Sequence, residues 1–127
     1  MLKILVLAHD VDSVRSGLEI PDSHIIDEKS IIEHMGLEID PTEPGHGHRI
    51  VQRMAVLARA WKAKRPLVML LDMRYHNAVE EIPHDYSCLI YDGSRKRRLA
   101  YNIGYKTDIT IENIDEISRL TDILEAV

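Results

Sequence analysis

The sequence predicts a single α/β domain of three layers, a mostly parallel sheet of about five strands with helices on both faces. Three observations predict it. Lys3 to Ala8 and Pro66 to Asp72 are nearly unbroken apolar runs, too short for lone helices and lacking the alternation of a strand with one wet face. Strands of that kind are buried on both faces, as in parallel sheets. Between the apolar runs lie segments with helical spacing, and strands alternating with helices imply right-handed βαβ crossovers.

Taken in order, Lys3 to Ala8 is the first strand and ends in His9, Asp10 and Asp12. Val11 to Leu18 is a short helix with Asp12 or Ser13 as its cap, interrupted by Gly17 and Pro21. A short strand follows at His24 to Asp27, then a brief helix from Ser30 to Met35 closed by Gly36. Leu37 to Gly47 holds Pro41, Pro44, Gly45 and Gly47 and reads as a loop. It ends in Gly45-His46-Gly47-His48-Arg49, directly before the most regular helix. There Ile50, Met54, Leu57, Ala58 and Trp61 form one apolar stripe, and Arg65-Pro66 ends the helix after Lys64.

The strand from Pro66 runs into Asp72, Arg74 and His76. Tyr75 to Ile82 is a short helix cut by Pro83. Tyr86 to Tyr91 is a further strand, stopped by the turn signal Asp92-Gly93-Ser94. Arg98 to Gly104 fits helix or hairpin equally. Asp108 to Ile111 is the last strand, and Asn113 caps a final helix with Ile114, Ile117, Leu120 and Leu124 at helical spacing. This alternation is Rossmann-like in outline.

A chain of 127 residues suits one domain. Its apolar runs fall far short of the ~20 residues of a membrane helix, so no membrane association is expected. Met1 to Ala8 stops against His9 and Asp10 with no small-residue cleavage site, and so reads as a strand rather than a signal peptide. The lone Cys88 lies in an apolar run, as an inert buried thiol does, and points to a cytoplasmic protein.

Charge is divided along the chain. Met1 to His48 carries ten acids against Lys3, Arg15 and Lys29, whereas Arg49 to Arg74 carries seven bases against Asp72. Such a division suits a homo-oligomer held through complementary segments, or capture of an anionic ligand. Solvated helix faces are the plainer explanation. The basic run Arg95 to Arg98 could track a nucleic-acid backbone, but a net charge of −5 and 5% aromatic residues weigh against nucleic acid.

Parallel sheets bind ligands at the carboxyl ends of their strands. Asp10, Asp72 and Asp92 fall there, and the turn before the long helix is expected to reach the same edge. His46, Gly47, His48 and Arg49 would then offer a helix N-terminus, two imidazoles and a guanidinium to one anion, phosphate above all. Arg74 would be a second phosphate ligand, with His9 and Gly93 also at the edge. His48 and His76 have the intrinsic pKa of an acid or base, and Asp72 or Asp10 could orient them. The cofactor is not determined. A divalent metal is the candidate, since His9, His46, His48 and His76 with Asp10 or Asp72 suit zinc or manganese, although no established zinc spacing is present. The plainer role of Asp10 and Asp72 is to cap helices or pair with Arg15 and Arg74.

Asp85-Tyr-Ser-Cys-Leu-Ile-Tyr-Asp-Gly93, then Leu99-Ala-Tyr-Asn-Ile-Gly-Tyr105 and Ile109-Thr-Ile111, resembles the corresponding part of the nucleoside 2-deoxyribosyltransferase-like enzymes. Where that family carries its nucleophilic glutamate this chain has Asn102, and Ser94-Arg-Lys-Arg-Arg98 replaces a Ser-Gly-Thr type turn. An amide cannot act as that nucleophile. The resemblance implies a nucleotide-sized pocket near Asp92, Gly93 and Asn102. The expected function is therefore binding, with hydrolysis as a further step, of a nucleotide or related small phosphorylated ligand. The alternatives are a non-catalytic ligand-sequestering or protein-interaction domain, and a metal-dependent phosphoesterase.

Overall fold

The computed structural model describes residues 3–18, 20, 24–35, 46–62, 66–91, 108–112 and 114–125, with the backbone alone at 34–35, 46–47, 76–79, 114 and 125. The strands are β1 (Lys3–Ala8), β2 (Ile25–Ile26), β3 (Leu67–Asp72), β4 (Tyr86–Ile90) and β5 (Ile109–Ile111). They form one sheet in the order β2-β3-β1-β4-β5, and every pairing is parallel. The helices are α1 (Val11–Gly17), α2 (Glu28–Met35), α3 (His46–Ala60) and α4 (Ser118–Glu125), with 3-10 segments at Met73–Glu81 and Ile114–Glu116.

The unbroken apolar runs become two-faced strands. Leu5, Leu7, Leu67, Met69, Leu71 and Leu89 face one layer, where Ile31 of α2, Ile50, Met54 and Ala58 of α3, and Met73 and Ile82 cover them. Ile4, Val6, Ala8, Val68, Leu70, Cys88 and Ile90 face the other, under Val14 of α1 and Leu120 and Leu124 of α4. The period of two in a strand divides one hydrophobic run between two cores. Truncating a fully buried leucine such as Leu5 to alanine costs ~2–5 kcal/mol in sites of this kind.

The order of strands dictates the layers. From β1 the chain crosses β3 to reach edge strand β2, whereas from β3 it returns across β1 to reach β4. If both crossovers share one hand, oppositely directed connections must lie on opposite faces. Accordingly α1 lies on one face and the segment after β3 on the other.

At the amino edge two aspartates clip neighbouring strands. Asp85 accepts from the Lys3 backbone N–H at 2.8 Å and its own N–H donates to the Lys3 carbonyl at 2.8 Å. Asp108 Oδ2 accepts from the N–H and hydroxyl of buried Ser87 at 2.8 and 3.2 Å, fixing β5 on β4. Gly17 in the last turn of α1 lies against Ile117, whose Cδ1 and Cγ2 would be 3.1 and 3.2 Å from any added Cβ.

Several expected boundaries shift. Asp10, rather than Asp12 or Ser13, caps α1, because Ser13 is the third helical residue and supplies the N–H donor at 3.0 Å. The helix expected from Ser30 starts at Glu28, with Ser30 again in the third position. The Gly-His-Gly-His-Arg segment is not all loop: α3 begins at His46, in a first turn where amides need no partner within the helix. The helix expected at Tyr75 is a 3-10 segment already under way from Met73, kinked at Tyr75. The helix expected after Asn113 opens as a 3-10 turn, and α4 begins only at Ser118. The long helix ends at Ala60, short of the expected Lys64, since Trp61 and Lys62 have already left it. Gly36, Asn113 and the choice between helix and hairpin at 98–104 lie outside the described residues. Among those residues no helix is long and apolar enough to cross a membrane.

Candidate functional site

Three strands adjacent in the sheet, β2, β3 and β1, run into Asp27, Asp72 and Asp10 at their carboxyl ends. Each aspartate caps the segment that follows. Asp10 Oδ2 also accepts the Ser13 hydroxyl at 2.7 Å. Asp27 Oδ1 accepts from the Ser30 N–H at 2.8 Å and its hydroxyl at 2.7 Å, while Arg15 Nη1 donates to Asp27 Oδ2. Asp72 Oδ1 accepts from the Arg74 N–H at 2.9 Å. The second oxygen of Asp72 takes no hydrogen bond among the described residues.

These strand ends open a cleft of about 590 Å³ lined by His9, Asp10, Val11, Asp12, Asp27, Glu28, Lys29, Ile32, Glu33, Leu70 and Asp72. It lies where the connections of the adjacent strands β1 and β3 depart to opposite faces of the sheet, the kind of crevice in which open α/β sheets bind ligands. Val11 and Ile32 give it apolar surface, and six carboxylates against Lys29 make the lining acidic.

The charges are held in place. Burial alone would raise the Asp27 carboxyl, but hydrogen bonds from Ser30 and Arg15 outweigh it and hold the group below the usual carboxylate range. Beyond β3, Arg74 Nη2 lies 3.2 and 3.1 Å from the two oxygens of Glu28, and its guanidinium sits 4.8 Å from the Tyr75 ring centre. Tyr75 donates its hydroxyl to the same carboxylate at 3.3 Å. Burial lowers the Arg74 pKa, but Tyr75, Glu28 and Asp72 outweigh that and raise it; burial and then Glu28 raise the Tyr75 phenol, which keeps its proton to donate. His9 packs its ring against Tyr91 at 5.9 Å between centroids.

The residues expected to converge are partly separated. His9, Asp10 and Asp72 share the cleft, and Arg74 stands beside it on Glu28. His48 lines a second cleft of about 450 Å³ with Val51, Gln52, Ala55, Val56, Arg59 and Glu81, and Arg49 is exposed on α3. The cationic cradle expected opposite the strand ends is therefore replaced, among the described residues, by a mainly acidic lining. The side chains of His46, Gly47 and His76, and the whole of Asp92, Gly93 and Asn102, lie outside the described residues. No three described His, Cys, Asp or Glu side chains are grouped to hold a metal ion.

Sequence reasoning passed over Asp27, Glu28, Lys29 and Tyr75. A signal existed for Asp27: an aspartate three residues before a serine at a helix start has capping spacing. Nothing local marks Glu28 as the partner of a residue 46 positions away. No protein family, curated protein or solved structure matches this chain.

Proposed function

We propose that the cleft at the carboxyl ends of β1 and β3 binds a nucleoside or nucleotide, with a sugar hydroxyl donating to Asp72. The observation that carries this reading is Asp72, whose second oxygen takes no hydrogen bond among the described residues, in the lining of a crevice of about 590 Å³, within the range of ~300–1,000 Å³ usual for small-molecule sites. An acidic lining favours groups that donate hydrogen bonds, such as sugar hydroxyls and amino groups, over a bare anion. Val11 and Ile32 offer apolar surface to a flat ring. Lys29 and Arg74 are the cations for a phosphate, and a phosphorylated ligand would bring a divalent cation to balance the carboxylates. The resemblance of the segment from Asp85 to Ile111 to nucleoside 2-deoxyribosyltransferase-like enzymes supports the nucleoside part.

Thermal shift against nucleosides, nucleotides and dinucleotides, with and without magnesium, manganese or zinc, tests the proposal. A ligand at 100 times its dissociation constant adds ~2.7 kcal/mol, several degrees for a domain of this size. The shift should disappear in Asp72→Ala. No shift with any of these ligands overturns the reading, and a turnover assay on a ligand that does shift separates a hydrolase from a sequestering protein.

A further inference from the structure

The second cleft, of about 450 Å³, lies along α3 and shares no described lining residue with the crevice at the strand ends. His48, Gln52, Val56 and Arg59 recur at helical spacing on one side of α3, and Glu81 joins them from the end of the neighbouring 3-10 segment. Val51 and Ala55, almost fully buried, supply an apolar floor, and Val56 is one of the large apolar side chains left exposed. A guanidinium and a carboxylate thus open on one cavity that also offers apolar surface. We propose that this cleft binds a small zwitterion with an apolar side chain, the chemistry of an α-amino acid or a short peptide, with its carboxylate on Arg59 and its ammonium on Glu81.

The two charges are available to a ligand. Arg15, Arg74 and Arg119 each meet a carboxylate. Arg59 and Glu81 line one cleft, yet they form no ion pair with each other and take no hydrogen bond among the described residues. Opposite charges that share a cavity without touching are joined by a ligand that carries both signs. A bare anion would meet repulsion from Glu81, and a bare cation would meet it from Arg59. Guanidinium suits a carboxylate because it can bind both oxygens, and a carboxylate accepts readily from an ammonium. Gln52 adds a donor and an acceptor. The described lining has no aromatic ring on which a nucleobase could stack, so its ligand class differs from that of the strand-end crevice. From His48 to Arg59 the stripe extends ~16 Å along the helix, long enough for more than one amino-acid residue.

The test is a titration of L-leucine into the full chain, followed by amide NMR at Val51–Arg59 and Glu81. Leucinamide, which lacks the carboxylate, and N-acetyl-leucine, which lacks the ammonium, are titrated in parallel. Leucine should perturb these signals and bind at least about threefold more tightly than either derivative, the size of effect an exposed ion pair produces. Arg59→Gln should bring leucine down to the level of leucinamide, and Glu81→Gln should bring it down to that of N-acetyl-leucine. Both side chains are exposed, so the variants should keep the wild-type melting temperature. Leucyl-leucine distinguishes the two sources of this chemistry: tighter binding than leucine assigns the cleft to peptides, and weaker binding assigns it to free amino acids. Equal binding of leucine and its two derivatives, a preference for leucine that survives both substitutions, or no perturbation by leucine or leucyl-leucine overturns the inference.

Discussion

Arg15 on α1 donates to the buried carboxylate of Asp27, the residue that caps α2, and so ties together helices on opposite faces of the sheet. The carboxylate serves two purposes at once: it offsets the Arg15 charge and takes the N–H and hydroxyl of Ser30. Asp27→Ala should therefore cost ~2–4 kcal/mol in urea unfolding, more than a helix cap alone, because it also takes a carboxylate away from a partly buried guanidinium. A loss below ~1 kcal/mol would show that the tie is not structural.

The same pair sets a response to acid. Asp27 titrates lower in the folded than in the unfolded chain, so on acidification the unfolded chain takes up the proton first. Its contribution is complete above about pH 5, and is lost as pH falls through the unfolded value near 4 toward the folded one. Melting temperatures measured from pH 7 downward should fall more steeply for the wild type than for Asp27→Asn over that window.

Gly17 and Ile117 leave no room for a larger side chain between α1 and the turn before α4. Gly17→Val should cost ~1–3 kcal/mol by forcing the two apart. Combining it with Ile117→Ala should recover part of that loss, giving a coupling of ~0.5 kcal/mol or more in a double-mutant cycle. Additive losses would place the strain elsewhere.

Cys88 is fully buried on the core face of β4, and burial pushes its thiol up to about 12. A thiol reagent at pH 8 should modify it only through opening of the sheet, at a rate that rises with denaturant alongside unfolding. Rapid labelling of the native protein would contradict that burial.

Asp108 closes the last strand onto β4 through Ser87. Asp108→Ala should cost ~1–2 kcal/mol and speed amide exchange at Ile109–Ile111 more than in β1 or β3. Uniform acceleration throughout the sheet would mean that β5 opens only with the whole domain.

The strands were legible because a strand covered on two faces writes itself as an unbroken apolar run, as at Ile4–Ala8 and Leu67–Leu71. The long stripe of Ile50, Met54 and Ala58 was legible for the corresponding reason in a helix. The cap of α1 is Asp10 rather than Asp12 or Ser13, and α2 starts at Glu28 rather than Ser30, because hydroxyl and carboxylate residues compete for the cap, and the residue that wins is set by where the strand ends. The sheet order was beyond reach, since apolar runs carry no label of their neighbours. For the site, the strand-end carboxylates Asp10 and Asp72 could be read from position alone. The placing of His48 in another cleft and the grip of Arg74 on Glu28 depend on how α2 and α3 pack, which no local pattern records.

The central position of β1 has a consequence for synthesis. Its partners are Leu67–Asp72 on one side and Tyr86–Ile90 on the other, so its six residues emerge from the ribosome long before either neighbour exists. Until then Ile4 to Ala8 is an exposed, chargeless, β-prone segment, the kind that pairs with copies of itself. Pairing across such sequence separations is slow. The nascent chain must carry that segment unsatisfied until Leu67–Asp72 and Tyr86–Ile90 have followed it, and a chaperone that binds short apolar stretches would find a target there.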